Sequence, residues 1–252
     1  MSCGFVRGTQ ALTWAMVAVV LLSAAPAMAK PVAVLVSALP HVARKVSQSL
    51  PVRIVAFGSS STEGVGASSP AAAYPARLQA LLRAALPVQV EVVNAGVGGE
   101  DADDMLRRIP SVVARRPDLV IWQTGSNDPL RGVPLGRFDR ETRDGIATLR
   151  GAGTDVMLME PQDCDVLHAH AGSLAYRDQL RRIAGQMRVP LVRRYDLMQA
   201  WLNEGLLTRT QMLYGDGLHM TDGGYARLAT AVGRQILALI GRAHPQYADN
   251  GK

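Results

Sequence analysis

The chain has 252 residues, 48% hydrophobic and 19% charged, with a formal net charge of +6, 24 Gly and 14 Pro. Glycine and proline together make up about 15%, below the roughly 25–30% of low-complexity chains, which excludes disorder, collagen and a coiled coil as descriptions of the whole. Two cysteines, Cys3 and Cys164, are too few for a disulfide framework or a thiolate zinc site.

Between Arg7 and Lys30 run 22 residues without a charge, an apolar stretch over 11–25 followed by Pro26-Ala27-Met28-Ala29. A basic start, an apolar middle and a small-x-small end are the three parts of a secretory signal peptide, so residues 1–29 are expected to be a leader cleaved after Ala29. The alternative is an uncleaved anchor, because the uncharged run reaches the ~20 residues that span a bilayer. The strongly apolar part is shorter than that, and the Ala-Met-Ala site follows it, which favours cleavage. Cleavage leaves a periplasmic or secreted protein with no stable membrane anchor, with Cys164 as its one thiol and a length that suits one domain. Its positive charge is nearly all arginine and scattered. The pairs Arg115-Arg116, Arg181-Arg182 and Arg193-Arg194 read as solvated surface, and no nucleic-acid partner is expected.

Residues 31–50, irregular or helical, lead into a first strand at 52–57. A helix is expected at 74–85, a strand at 88–93, a helix at 101–114, a strand at 119–124, a helix at 139–150, a strand at 156–159, a helix at 173–187 and a strand at 190–192. In the last segment Tyr225, Leu228, Val232, Ile236 and Leu239 recur at spacings of three and four, forming the apolar stripe of a terminal helix. The strands are rich in Val and Ile and mostly apolar on both faces, as buried parallel strands are. This alternation predicts an α/β fold: a three-layer α/β/α, doubly wound, flavodoxin-like five-stranded parallel sheet.

In such a sheet the ligand site lies at the carboxyl ends of the strands. After the first strand comes Gly58-Ser59-Ser60-Ser61-Thr62-Glu63-Gly64, which fits neither a P-loop nor a dinucleotide fingerprint but suits a hydroxyl exposed at a strand-to-turn junction. After the second comes Asn94-Ala95-Gly96-Val97-Gly98-Gly99, where glycine bares backbone amides. Gly125-Ser126-Asn127-Asp128 follows the third, with a side-chain amide donor, and Asp216-Gly217-Leu218-His219 precedes the terminal helix, with a carboxylate three residues before an imidazole. Each has a structural reading as well: a glycine turn, an Asx turn, a surface histidine, a helix cap near Thr221.

Together these four blocks resemble the SGNH hydrolases, or GDSL-type lipases and esterases. The family's Gly-Asp-Ser-x-Thr-x-Gly matches residues 58–64 except at Ser59, where Asp is usual, and the register places its nucleophile on Ser60. Its Asn-x-Gly-x-x-Gly matches 94–99, with the oxyanion glycine on Gly99; Gly-x-Asn-Asp places the oxyanion asparagine on Asn127; Asp-x-x-His falls on Asp216 and His219. The resemblance covers about 52–241, leaving 30–51 as a lead-in and 242–252 as a tail. The run Asp128-Pro129-Leu130-Arg131-Gly132 is also similar to the Asp-x-Leu-Arg-Gly of broad-specificity bacterial thioesterases and arylesterases.

The resemblance implies a serine esterase. A serine hydroxyl is a weak nucleophile unless a base takes its proton, which assigns His219 as base and then acid, with Asp216 orienting the ring. The Ser60 and Gly99 amides and the Asn127 side chain would donate to the oxyanion. No metal or organic cofactor is needed, and the substrate would be a small-molecule, lipid or acetylated-glycan ester. An acyltransferase using the same triad, or a noncatalytic binding module that kept the fold, are the alternatives. A second Asp-x-x-His, Asp165 and His168, competes for the catalytic role, and residues Asp163, Cys164, Asp165, His168 and His170 match no common zinc spacing. Trp122 and Trp201 read as core or pocket-wall aromatics, Glu160 and Arg131 have surface or structural readings beside a catalytic one, and the pocket walls are expected after Gly64, after Asn127 and over 162–174.

Overall fold

A computed structural model describes residues 1, 2 and 4 and the continuous stretch 38–241. The expected leader, apart from those three positions, and the tail lie outside the described residues. Internal contacts divide the chain into Met1–Val34 and Leu35–Lys252, and the fold below belongs to the second unit.

Five parallel strands, β1 (Val52–Gly58), β2 (Val90–Gly96), β3 (Leu119–Gln123), β4 (Asp155–Met159) and β5 (Leu191–Val192), form one sheet in the order β2-β1-β3-β4-β5. This is the flavodoxin-like order that the strand–helix alternation implies. Alternate residues of each strand point to opposite faces. Val52, Ile54 and Ala56 of β1, Leu119 and Ile121 of β3 and Met157 and Met159 of β4 join one apolar cluster. Val55, Phe57, Val120, Trp122, Val156 and Leu158 join the other.

Helices α1 (Pro40–Ser47), α3 (Tyr74–Ala85), α9 (Arg194–Asn203) and α11 (Asp222–Leu239) cover the first face. Helices α4 (Ala102–Val113), α6 (Leu135–Gly151) and α8 (Ser173–Met187) cover the second, which completes the three layers. Four short helices, α2 (Ser60–Glu63), α5 (Asn127–Leu130), α7 (Asp165–Ala169) and α10 (Arg209–Met212), lie in the connections.

The choice between the irregular and helical forms expected of the lead-in, and two differences from the sequence expectation, have physical causes. The lead-in contains α1, whose N-cap Leu39 has no capping side chain. Asp155, at the start of β4, accepts the His41 and Val42 amides at 2.9 and 3.0 Å instead, so a remote carboxylate satisfies the helix start. Strand β2 is an edge: Glu91 is exposed, so it is not apolar on both faces. Helix α9 went unread because Met198 and Trp201, its buried apolar residues, are interleaved with polar ones and with a buried arginine.

The register fixes the rim. Gly58 pairs with Gly96, Phe57 with Trp122 and Gln123 with Met159, so the carboxyl ends of β1 to β4 lie level. The segments carrying Ser60, Gly99, Asn127 and residues 160–163 therefore leave the sheet side by side.

Candidate active site

Ser60 is the first residue of α2, directly after the buried Ser59. Its Oγ lies 2.8 Å from His219 Nε2, and His219 Nδ1 lies 2.6 Å from Asp216 Oδ2. The second Asp216 oxygen accepts the Leu218 and His219 amides, each at 2.9 Å, which locks the carboxylate against the ring. An ionised carboxylate only accepts, so Nδ1 carries the proton and Nε2 is left to accept from the serine hydroxyl. Burial opposes ionisation of Asp216, but hydrogen bonds from the His219 ring and from the two amides outweigh it and hold the carboxyl below its usual range. Thr221 caps α11 through the Gly224 amide, fixing where this loop ends.

The second block packs on α2, which begins at Ser60. Asn94 donates Nδ2–H to the Glu63 carbonyl at 3.1 Å and accepts the Gly96 amide at 2.9 Å. A Cβ on Gly96 would stand 2.0 Å from the Glu63 nitrogen, so only glycine at 96 lets this turn close on α2. Gly99 follows with φ +77, and its amide has no backbone acceptor among the described residues.

Asn127 donates one Nδ2 hydrogen to the Glu100 carbonyl at 2.7 Å, which orients the amide and leaves its second hydrogen for another acceptor. Glu100 is itself held by Arg108, and Arg131 donates to the Gly99 carbonyl at 3.2 Å while pairing with Asp101 and Asp104. Arg131 thus acts as a strut under the glycine turn.

Asp128, fully buried, accepts the Ala102 amide at 3.0 Å, and its other oxygen has no partner. Burial pushes its carboxyl up to about 6, opposed by the Ala102 amide and reinforced by the Asp101 charge. Because the folded value exceeds the unfolded one, the native state binds the extra proton between about pH 4 and 6, and stability falls as pH rises across that window. Asp128→Asn keeps the acceptor for Ala102 and cannot ionise. Urea unfolding should find the variant gaining on the wild type as pH rises from 4 to 7, by on the order of 3 kcal/mol. An offset that does not change with pH would contradict this role.

The competing pair lies apart from Ser60. His168 Nε2 is 2.8 Å from the buried Asp163 and 3.4 Å from the Tyr195 hydroxyl, while Asp165 pairs with Arg209. Among the described residues no group of three or more His, Cys, Asp or Glu is disposed to hold a metal ion. Cys164 is buried, and burial pushes its thiol up to about 11. Trp122 and Trp201 are core residues, and Glu160 is buried against Arg181.

The sequence reading missed a buried polar network beneath the rim. Gln123 Oε1 accepts from the Ser59 amide at 3.0 Å and from the Ser59 and Thr62 hydroxyls at 3.2 Å each. Gln162 and Arg194 continue it. Arg194, taken with Arg193 for solvated surface, is fully buried, and burial lowers its guanidinium to about 10. The signal in the sequence is a glutamine inside the mostly apolar strand expected at 119–124.

Of the expected pocket walls, residues 65–68 line a cleft of about 560 Å³ beside His219, with Tyr214 and residues 221–223 opposite. No helix among the described residues is long and apolar enough to cross a membrane.

Residues 25–242 match the model of the Non-GDSL lipase-like family. The chain is 24% identical over 191 residues to thioesterase 1/protease 1/lysophospholipase L1 of Escherichia coli strain K12, covering 74% of this chain and 84% of the relative. It is 24% identical over 149 residues to an arylesterase of Vibrio mimicus, covering 59% of this chain and 70% of the relative. Among solved structures, TesA superimposes with a TM-score of 0.62 at 24% identity, covering 75% of this chain and 99% of that one. A two-domain esterase active on acetylated mannans superimposes with a TM-score of 0.67 at 18% identity over 85% of this chain, which spans 56% of that longer chain. With the family match running through the strands and the rim described above, the chain belongs to the Non-GDSL lipase-like family, among the SGNH-type ester hydrolases.

Proposed function

We propose that this chain is an exported serine esterase that hydrolyses carboxylic esters through Ser60, His219 and Asp216 and an acyl-enzyme intermediate. The reading rests on the run of contacts from Asp216 through His219 to Ser60, with the proton placed so that Nε2 faces the hydroxyl. Ser60 Oγ attacks the ester carbonyl as Nε2 takes its proton, and the carbonyl electron pair moves onto oxygen. The Ser60 and Gly99 amides and the second Asn127 Nδ2 hydrogen would receive that oxyanion. Collapse expels the alcohol, which leaves with the proton returned by His219, and water repeats the cycle on the acyl-Ser60 ester. None of these steps requires a metal or an organic cofactor.

The names of the relatives favour acyl or acetyl esters of small molecules, lipids or glycans as substrates. Exposed Val65, Val97 and Tyr214 sit in loops that border the rim, and exposed Leu174 in the first turn of α8, where apolar parts of an ester can be covered. Export rests on the leader over residues 1–29.

The test is to treat the purified protein with a fluorophosphonate, locate the adduct by peptide mass spectrometry, and assay p-nitrophenyl butyrate. The expected result is an adduct on Ser60 and loss of hydrolysis in step with labelling. An adduct at another serine, or hydrolysis that survives full labelling, would overturn the assignment.

A further inference from the structure

Ser59 stands where the motif that residues 58–64 resemble has an aspartate, so this turn has no carboxylate at that position. The structure nevertheless holds that turn by an acceptor from another strand. We infer that Gln123, at the end of β3, is a positioning residue for the nucleophile that takes over the task of the missing carboxylate, and that Gln162 and Arg194 set the direction in which its amide points. The inference rests on the reading of Ser60 as nucleophile.

Gln123 is fully buried, and its Oε1 gathers three donors that bracket Ser60: the Ser59 amide, the Ser59 hydroxyl and the Thr62 hydroxyl. Ser59 and Thr62 are buried too, so water cannot replace the amide oxygen. There is no slack behind it: a Cβ on Gly58 would stand 2.5 Å from Thr62 Oγ1 and 2.7 Å from Gln123 Oε1.

The polarity of the network follows from its ends. Arg194, buried in α9, only donates: its Nε–H goes to the Glu160 carbonyl at 3.0 Å and an Nη2 hydrogen to Gln162 Oε1. The Leu218 carbonyl only accepts, and it takes Gln162 Nε2–H at 3.1 Å. Gln162 can therefore face only one way. Its oxygen also receives the Ser126 hydroxyl at 3.1 Å, so Ser126 Oγ is free to accept from Gln123 Nε2 at 3.3 Å. Gln123 is then left with its oxygen toward Ser59, whose amide can only donate.

One directed chain thus runs from the nucleophile turn, past the residue before Asn127, to the carbonyl of Leu218, whose own amide holds Asp216. The neutral side chains of Gln123, Ser126 and Gln162 together link the turn of Ser60 to the loop of Asp216 and His219.

The charged and titratable groups around this network are Arg194 on α9, Tyr74 on α3 beside Thr62, Tyr225 on α11, Glu160 and Cys164 after β4, and His219 before α11. A buried glutamic acid at 123 repeats the pattern of Gln123 only while protonated, with a carbonyl oxygen for Ser59 and Thr62 and an O–H for Ser126. Its ionised form has no donor for Ser126 and breaks the chain.

The experiment measures fluorophosphonate labelling rates at Ser60 and steady-state hydrolysis of p-nitrophenyl butyrate from pH 5 to 9 for wild type, Gln123→Leu and Gln123→Glu. Gln123→Leu should lose about 10- to 100-fold in both labelling rate and kcat, with KM changed by less than about threefold. Gln123→Glu should approach wild type at low pH, and its activity relative to wild type should fall as pH rises. Labelling of a folded Gln123→Leu at the wild-type rate overturns the inference and leaves the esterase reading intact. If that variant does not fold, Gln123→Glu decides: a relative activity flat across the pH range overturns the inference, and a falling one supports it. A wild type that is never labelled at Ser60 overturns both.

Discussion

Ser60→Ala is expected to lower kcat for p-nitrophenyl butyrate by about 10⁴- to 10⁶-fold, with KM little changed. The substitution removes the atom that attacks the carbonyl and leaves the Ser60 amide, the Gly99 amide and the Asn127 side chain in place, so substrate and oxyanion contacts persist. Residual turnover near 10³–10⁴ over water is what such donors and binding provide without a nucleophile. The fold should not suffer, because the Ser60 hydroxyl is half-buried and its recorded partner is His219 Nε2. Neighbouring Ser59 and Ser61 are buried, and Ser59 already spends its hydroxyl on Gln123, so neither is placed to substitute. The measurement is kcat and KM beside a thermal midpoint that should match wild type. Undiminished kcat in a folded Ser60→Ala would remove Ser60 from the reaction altogether.

The parts of this molecule that were legible in the sequence are those whose cause is local. Helices 74–85 and 173–187 appear with the expected bounds because each carries one apolar face against a strand layer. The parallel five-stranded order follows from strands separated by helices, a connection that can only cross over. The candidates Ser60, Gly99, Asn127, Asp216 and His219 come from four short blocks that resemble those of the SGNH hydrolases, three of them directly after strands and the last before the terminal helix.

What stayed hidden is what the chain assembles across distance. The capping carboxylate of α1 comes from Asp155, 114 residues beyond His41, and no local pattern announces it. Arg194 follows Arg193 in a polar stretch, yet its charge is buried because a carbonyl of Glu160 and the amide of Gln162 converge on it from β4's far end. Gln123 lies inside the strand expected at 119–124, and its three donors come together on it only because β1 lies beside β3. The departure at Ser59 was legible, but what compensates it was not, since the replacement acceptor sits 64 residues away.

Asp216→Asn is expected to lower kcat by about 10⁴-fold while leaving the fold and KM close to wild type. The two Asp216 oxygens have separate duties: Oδ1 takes the amides of Leu218 and His219, and Oδ2 takes His219 Nδ1. An asparagine must keep its oxygen toward the two backbone amides, because the opposite orientation sets its NH₂ against two fixed donors. The NH₂ then faces Nδ1, which has to become the acceptor, and the ring proton moves to Nε2. That places an N–H, not a lone pair, opposite the Ser60 hydroxyl 2.8 Å away, so the imidazole can no longer accept the serine proton. The labelling rate with a fluorophosphonate should fall by a comparable factor, since it needs the same proton transfer and no particular ester. Asp165→Asn supplies the control: Asp165 pairs with Arg209 at the surface and not with His219, so its loss should leave kcat within about twofold. An Asp216→Asn enzyme that keeps more than about a tenth of kcat, or an Asp165→Asn enzyme that loses as much as Asp216→Asn, would shift the acid of the triad away from Asp216.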